Sequence, residues 1–266
     1  LASGATVQVK ESNGKIRSWG DARAEQVWAK PLAVMVDSYS ASASEIFAGA
    51  IQDYQRGLII GHPTFGKGTV QKLGDLSVGQ LKLTESKFYR ITGAGMQNKG
   101  VEPDIALPAT WNLEETGERG LDSALPWDEV KPVSFKKFKI GYDVIAQLKT
   151  NHSQRVIENP NLQYILNIKK RYDEQREKKY LSINIKTRTA EKIDRQLWAL
   201  ETENKRRSAV SLEVFKSYDE LEEFNKNKED IDIDIDIDND FLLNEGALIL
   251  SDYIYLSMNL LLSEAA

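Results

Sequence analysis

The chain of 266 residues contains no cysteine. That excludes a disulfide, a thiolate nucleophile, a cysteine-ligated zinc and an iron–sulfur cluster. It holds only two histidines, His62 and His152, too few for a multi-histidine metal site. Any acid–base chemistry has to use other side chains, and no metal or cofactor is expected. Long apolar runs are missing too: no window approaches ~18 consecutive apolar residues, so no membrane span is expected. Charge of one sign is scarce. With 35 basic against 40 acidic residues the formal net charge is −5, and the pI is ≈ 5.3, which argues against general nucleic-acid binding. The opening residues Leu1–Val7 lack the basic and apolar regions of a signal peptide. The chain reads as mature, or as a fragment of something longer.

What is present divides into two parts. Residues 1–110 carry 12 basic and 10 acidic residues, and residues 111–266 carry 23 and 30. Most glycines lie in the first part. It therefore reads as turn-rich α/β, and the second as mostly helical and solvent-facing. In the first part Thr6–Lys10 alternates as a strand, Ser12–Lys15 is a turn signal, and Ile16–Trp19 returns as its partner. Leu32–Val36 is a short apolar run suited to a strand buried on both faces. A small-residue segment, Ser40–Ser44, leads into a helix that continues to about Gln55. Leu58–Ile60 is a second buried strand, and further strands are expected from Val70 onward and over Leu81–Ile91. In the second part, helices are expected over Val144–Arg155, Leu162–Lys179 and Ala190–Arg207, with a break at Asn159–Asn161. Residues 216–240 read as a charged acidic linker. Within it Asp230–Asp240 has Asp at every even position, and a strand there would line six carboxylates on one face. Phe241–Leu262 is apolar enough for a terminal helix. It could dock on this chain or on another domain. The expected organisation is thus 1–110, 111–215, 216–240 and 241–266.

Two loops carry the chemistry. One is Ser40–Glu45, between a buried strand and a helix; the other is Thr64–Thr69, after the next strand. A helix from Ser42 to Gln55 is about 21 Å long, and a strand from Gly57 to His62 covers roughly 20 Å. If that strand runs back along the helix, Lys67 returns to the helix N-terminus and meets a serine. A serine hydroxyl needs a base to become a nucleophile, and with histidine scarce Lys67 is the available one. It must be neutral to accept a proton, and no carboxylate stands beside it in sequence. The free N–H groups of the helix N-terminus suit a developing oxyanion. A Ser–Lys dyad is a known variant of triad chemistry. These residues leave Ser40, Ser42 and Ser44 all open as the nucleophile. Small residues and a Gly-Lys-Gly turn also serve simple packing, and Ser-x-x-Lys pairs recur at Ser12–Lys15 and Ser134–Lys137 without a role. Gly61 to Lys67 nearly spells a phosphate-binding loop. However, Gly68 stands where that motif needs Ser or Thr, and a strand follows where it needs a helix.

At these residues the chain resembles the C-terminal processing peptidases, in particular the tail-specific protease branch of Gram-negative bacteria. The resemblance covers Pro31–Asp37, Ser40–Phe47, Gln52–Tyr54, Pro63–Gln71, Lys99–Ile105 and Ala124–Asp128. It is less sharp over the helical part and weak beyond about residue 215. It implies an α/β, partial crotonase/ClpP-like serine protease core followed by a mostly α-helical C-terminal domain. By position it implies Ser42 as nucleophile, Lys67 as base and Gln71 as the residue that orients Lys67. Gln71 would share a strand face with Lys67 if Val70 points away. It further implies the Ala43 N–H as an oxyanion donor and Asp53 as structural support at the far end of the helix. The family's PDZ domain, the first part of its core and a second oxyanion donor have no counterpart in these residues. The implied activity is a periplasmic endopeptidase acting on proteins recognised by apolar C-terminal tails, with any adaptor left unidentified. The competing expectation is a non-catalytic helical scaffold carrying an inert remnant of the dyad.

Overall fold

A computed structural model of the chain describes residues 3–22, 25–110, 115–138, 140–229 and 240–264. The described residues divide into two compact units. One is formed by Leu1–Leu107, Leu113–Thr150 and Gly246–Ala266, and the other by Pro108–Asn112 and Asn151–Glu245.

The first unit is α/β. Strands β1 (Gly4–Glu11) and β2 (Ile16–Asp21) form the expected hairpin, with Val7 opposite Trp19 and Lys10 opposite Ile16. They join β5 (Thr69–Asp75) and β6 (Gln80–Tyr89) in an antiparallel sheet of order β2-β1-β6-β5. A second, parallel sheet has the order β3 (Ala33–Val36), β4 (Leu58–Gly61), β7 (Ile105–Ala106). Helix α1 (Ala43–Asp53) is the crossover between β3 and β4. A parallel pair joined by one helix requires that helix to run against both strands. Strand β4 therefore does run back along α1.

The central strand β4 is buried at every position. The expectation of burial on both faces fails for β3. Only Val36 is buried there, and Met35 is exposed, because β3 is an edge of its sheet. Helix α1 presents Ala48 and Ile51 to a core of Val36, Ile59 and Val101. Its Ile46 packs toward Val7, Phe88 and Met96 beneath the antiparallel sheet. One short helix thus anchors on both sheets, which holds its N-terminus in place.

The remaining helices are α2 (Tyr142–Glu158), α3 (Pro160–Arg176), α4 (Ile185–Ala209), α5 (Tyr218–Glu229) and α6 (Phe241–Glu264). The break before α3 is a cap: the Asn159 side chain accepts the Asn161 N–H at 2.9 Å and Pro160 is the first helical residue, as cap chemistry prescribes. Helix α5 corrects the linker expectation for its residues. Glu222 and Lys226 are paired on it, while Leu221 is buried and the Phe224 ring lies 5.3 Å from that of Phe215. The Asp230–Asp240 run lies outside the described residues up to Asp240. Helix α6 docks on this chain. A Cβ added at Gly246 would stand 2.6 Å from the Met35 sulfur, so the helix backbone approaches β3 closely at that glycine.

Candidate active site

The loop from β3 into α1 is shaped by Asp37. Its Oδ1 accepts the Ser40 N–H at 2.8 Å, the Tyr39 N–H at 3.0 Å and the Ser40 hydroxyl at 3.0 Å. The Ser40 hydroxyl is thereby committed to a turn. Ser44 is the second residue of the helix proper. Ser42 is the N-cap of α1 and has φ 60° and ψ −111°. A side chain in that region costs about 1–3 kcal/mol and persists only where neighbours enforce it. Ser42 and Glu45 form a capping box, in which the Glu45 carboxylate accepts the Ser42 N–H. The Glu45 N–H bonds to the Ser42 carbonyl, at 3.0 Å. Tertiary structure therefore separates three serines that look equivalent in sequence. One is engaged in a turn, one lies within the helix, and one is the N-cap of the helix with a positive φ.

The neighbour that enforces Ser42 is Glu45, which is fully buried. Its Oε2 accepts the Ser42 N–H at 2.8 Å and the Lys67 N–H at 2.9 Å. Its Oε1 accepts the Thr64 hydroxyl and the Gly66 N–H, each at 2.6 Å. Two nitrogens on one oxygen lie within about 6 Å of each other, so this carboxylate brings the Ser42 and Lys67 backbones side by side. The expected absence of a carboxylate near Lys67 thus holds only along the sequence. The four donors occupy both oxygens, and the first turn of α1 supplies favourable potential. The buried charge is held by hydrogen bonds and the helix N-terminus.

The second loop is pinned along its length. The Phe65 N–H donates to the Ser40 carbonyl at 3.0 Å, and the Gly66 carbonyl accepts the Asn98 N–H at 2.9 Å. Buried Gln97 accepts the Gly68 N–H at 2.9 Å and donates to Glu118 at 3.1 Å. Thr64 Oγ1 accepts the Val101 N–H at 2.7 Å, which ties in the 99–105 segment. Glycines flank Lys67 because nothing else fits. Gly66 has φ +86°, and a Cβ at Gly68 would stand 2.5 Å from the Gln97 nitrogen. Gly68→Ala should cost about 1–3 kcal/mol, read as a lowered denaturation midpoint. An unchanged midpoint would mean that the loop is not held as described.

Lys67 is half-buried, as is Ser42, and no hydrogen bond joins the Lys67 amine to the Ser42 hydroxyl. Gln71 departs from expectation. It is exposed, and a register irregularity lies between Val70, opposite Ser86, and Gln71, opposite Thr84. A bulge breaks strict alternation, and Lys67 precedes the first strand residue, Thr69. The same-face argument for Lys67 and Gln71 therefore lapses. Ala43 is the first residue of α1 and is exposed. Asp53, the last residue of α1, is buried and pairs with Arg90, whose Nε is 3.0 Å from Asp53 Oδ1 and whose Nη2 also reaches Gln52 at 2.8 Å. It ties the helix to the end of β6, away from Ser42. Sequence reasoning missed Glu45 and Gln97. Ser42-x-x-Glu45 has the spacing of a capping box, which was the available signal for the first. Nothing local marks Gln97.

Residues 1–107 match peptidase family S41, and residues 112–255 match the C-terminal domain of tail specific protease. The tail-specific protease of Haemophilus influenzae is 35% identical over 277 aligned positions, which cover all of this chain and 38% of that protein. The chloroplastic carboxyl-terminal-processing peptidase 2 of Arabidopsis thaliana is 37% identical over 118 residues, covering 43% of this chain and 23% of that one. Among solved structures, a photosystem II D1 C-terminal processing protease aligns with a TM-score of 0.37 at 38% identity, over 40% of this chain and 28% of the other. The chain thus spans less than two-fifths of the length of each of these relatives.

Proposed function

The chain belongs to the tail-specific proteases of peptidase family S41, and on that premise we propose that it contributes the nucleophile and base of a serine endopeptidase. Ser42 Oγ attacks the carbonyl carbon of the scissile peptide while its proton passes to the neutral amine of Lys67. The negative charge that develops on the carbonyl oxygen is met by the Ala43 N–H at the positive end of α1. The Lys67 ammonium then protonates the departing amine, leaving an ester on Ser42. Lys67 next takes a proton from water, the resulting attack on the ester releases the acid product, and the Lys67 ammonium returns that proton to Ser42 Oγ, restoring the hydroxyl and the neutral amine. The family resemblance assigns Gln71 to orient the Lys67 amine. Substrates are proteins engaged through apolar C-terminal tails, in the periplasm.

The observation that carries this reading is the shared acceptor. Glu45 Oε2 takes the N–H of Ser42 and the N–H of Lys67 together, so the two side chains spring from adjacent backbone. The enforced backbone of Ser42 at the start of α1 supports it as well.

A serine-directed phosphonate applied to the full-length enzyme tests it. Adduct mass should map to Ser42 and vanish in Ser42→Ala. An adduct on Ser40 or Ser44 would refute the choice of nucleophile. No adduct on an enzyme that melts cooperatively would favour the non-catalytic scaffold.

A further inference from the structure

The second unit carries a feature that proteolysis does not use. Helices α3 and α4 form a hairpin, and its tip, residues 177–185, is exposed almost throughout. Four large apolar side chains stand there in water: Tyr180 at 90%, Leu181 at 71%, Ile183 at 102% and Ile185 at 77% exposure. The tip is ordered by its own polar residues. The Asn184 N–H donates to the Ser182 hydroxyl at 3.2 Å, and the Asn184 side chain caps α4 by accepting the Lys186 N–H at 2.9 Å. Ser182 and Asn184 are thus occupied locally, and Leu181, Ile183 and Ile185 fall at the alternate positions between and beyond them. Isolated exposed apolar residues are ordinary, but a contiguous group of this size marks a surface that something covers.

Charge indicates what covers it. Over residues 176–192 there are six basic and two acidic residues, within a chain of net −5. Lys178, Lys179, Lys186 and Lys192 flank the apolar tip, and none has an ion pair among the described residues, whereas Arg188 is paired with Glu191 at 3.0 Å. The apolar group projects from a helical hairpin instead of lining a groove. A convex apolar tip ringed by free lysines suits a surface that is anionic at its face and apolar beneath. Insertion of the side chains and attraction of the lysines then act together. Among the described residues no helix is long and apolar enough to cross a membrane, so such contact would be peripheral.

We propose that the α3–α4 tip is a membrane-docking element that seats Leu181, Ile183 and Tyr180 in the interface of an anionic phospholipid bilayer. The proposal is independent of the catalytic reading. Full-length enzyme should co-sediment with vesicles of phosphatidylglycerol and phosphatidylcholine, and only weakly with phosphatidylcholine alone. Raising salt from 0.1 to 0.5 M should weaken binding several-fold. The double variant Leu181→Ser, Ile183→Ser should weaken it about tenfold or more, and so should Lys178→Glu with Lys179→Glu. Cleavage of a soluble peptide should be unchanged in both. An environment-sensitive dye on Ile183→Cys should shift to the blue only when vesicles are added. Absence of vesicle binding overturns the proposal, as does binding that both double variants leave intact. A dye already shifted without lipid also overturns it, since the tip would then be covered by protein: another part of the enzyme, a second copy or an acidic partner.

Discussion

Lys67→Ala in the full-length enzyme is expected to lower kcat for a peptide substrate by about 10³-fold or more, the scale on which general-base catalysis and loss of a dyad member act. The melting temperature should barely move. Lys67 is fastened to the fold through its backbone N–H on Glu45, which alanine keeps, and its amine has no hydrogen bond or ion pair among the described residues to lose. Lys67→Arg sharpens the test. Arginine keeps the positive charge and most of the length, but cannot act as a neutral base because it holds its proton throughout the accessible range. If positive charge near the carbonyl were the contribution, arginine would rescue; if proton transfer is, arginine is as inactive as alanine. Steady-state kinetics on the three proteins, with thermal melts beside them, decide this. Near-normal turnover in Lys67→Ala would end the dyad proposal.

The second large effect belongs to Glu45. Its removal leaves the N–H groups of Ser42, Gly66 and Lys67 and the hydroxyl of Thr64 without their acceptor in a buried place. Each such group costs about 1–3 kcal/mol when stranded. The costs are not additive, because the loop can relax, so Glu45→Ala should lose about 3–5 kcal/mol overall. For a chain of this size that is a fall in melting temperature on the order of 10 °C. Glu45→Gln retains the volume and one acceptor oxygen, so it should fold with a smaller loss. It nevertheless points an NH₂ group at backbone donors. The Ser42 and Lys67 nitrogens share one oxygen in the native loop, and in this variant they should separate. Turnover and phosphonate labelling of Ser42 should both drop, with KM little changed. A Glu45→Gln enzyme of native melting temperature and native kcat would show that the shared acceptor does not position the site.

The legible part of this molecule was local. The β1–β2 hairpin could be read from alternation around an Asn-Gly turn. Strand β4 could be read because a central strand is apolar at consecutive positions. Helix α3 announced itself through Asn159 and Pro160. Element lengths alone indicated that the Lys67 loop returns to the start of α1, and the parallel pairing of β3 and β4 agrees. Other readings failed where a non-local contact decides. Met35 belongs to an apolar run yet is exposed, since nothing in the run says which strand is the sheet edge. Helix α5 was hidden because its charges dominate the composition, while its two packing residues, Leu221 and Phe224, are few. The face of Gln71 was lost to a bulge, which is a property of the pair of strands.

Composition and order of residues determined what chemistry is available to this protein. Without cysteine, and with two histidines, the candidates reduced to serines and a lysine at a helix start, in an α/β part followed by a helical one. How Ser40, Ser42 and Ser44 differ in their surroundings, and what brings the Ser42 and Lys67 backbones together, was decided only on folding. The reason is that the deciding interaction is one buried carboxylate. Its four donors come from residues 42, 64, 66 and 67. Three of the four are about twenty residues distant along the chain, and they meet Glu45 only because a parallel crossover carries them back to the start of α1.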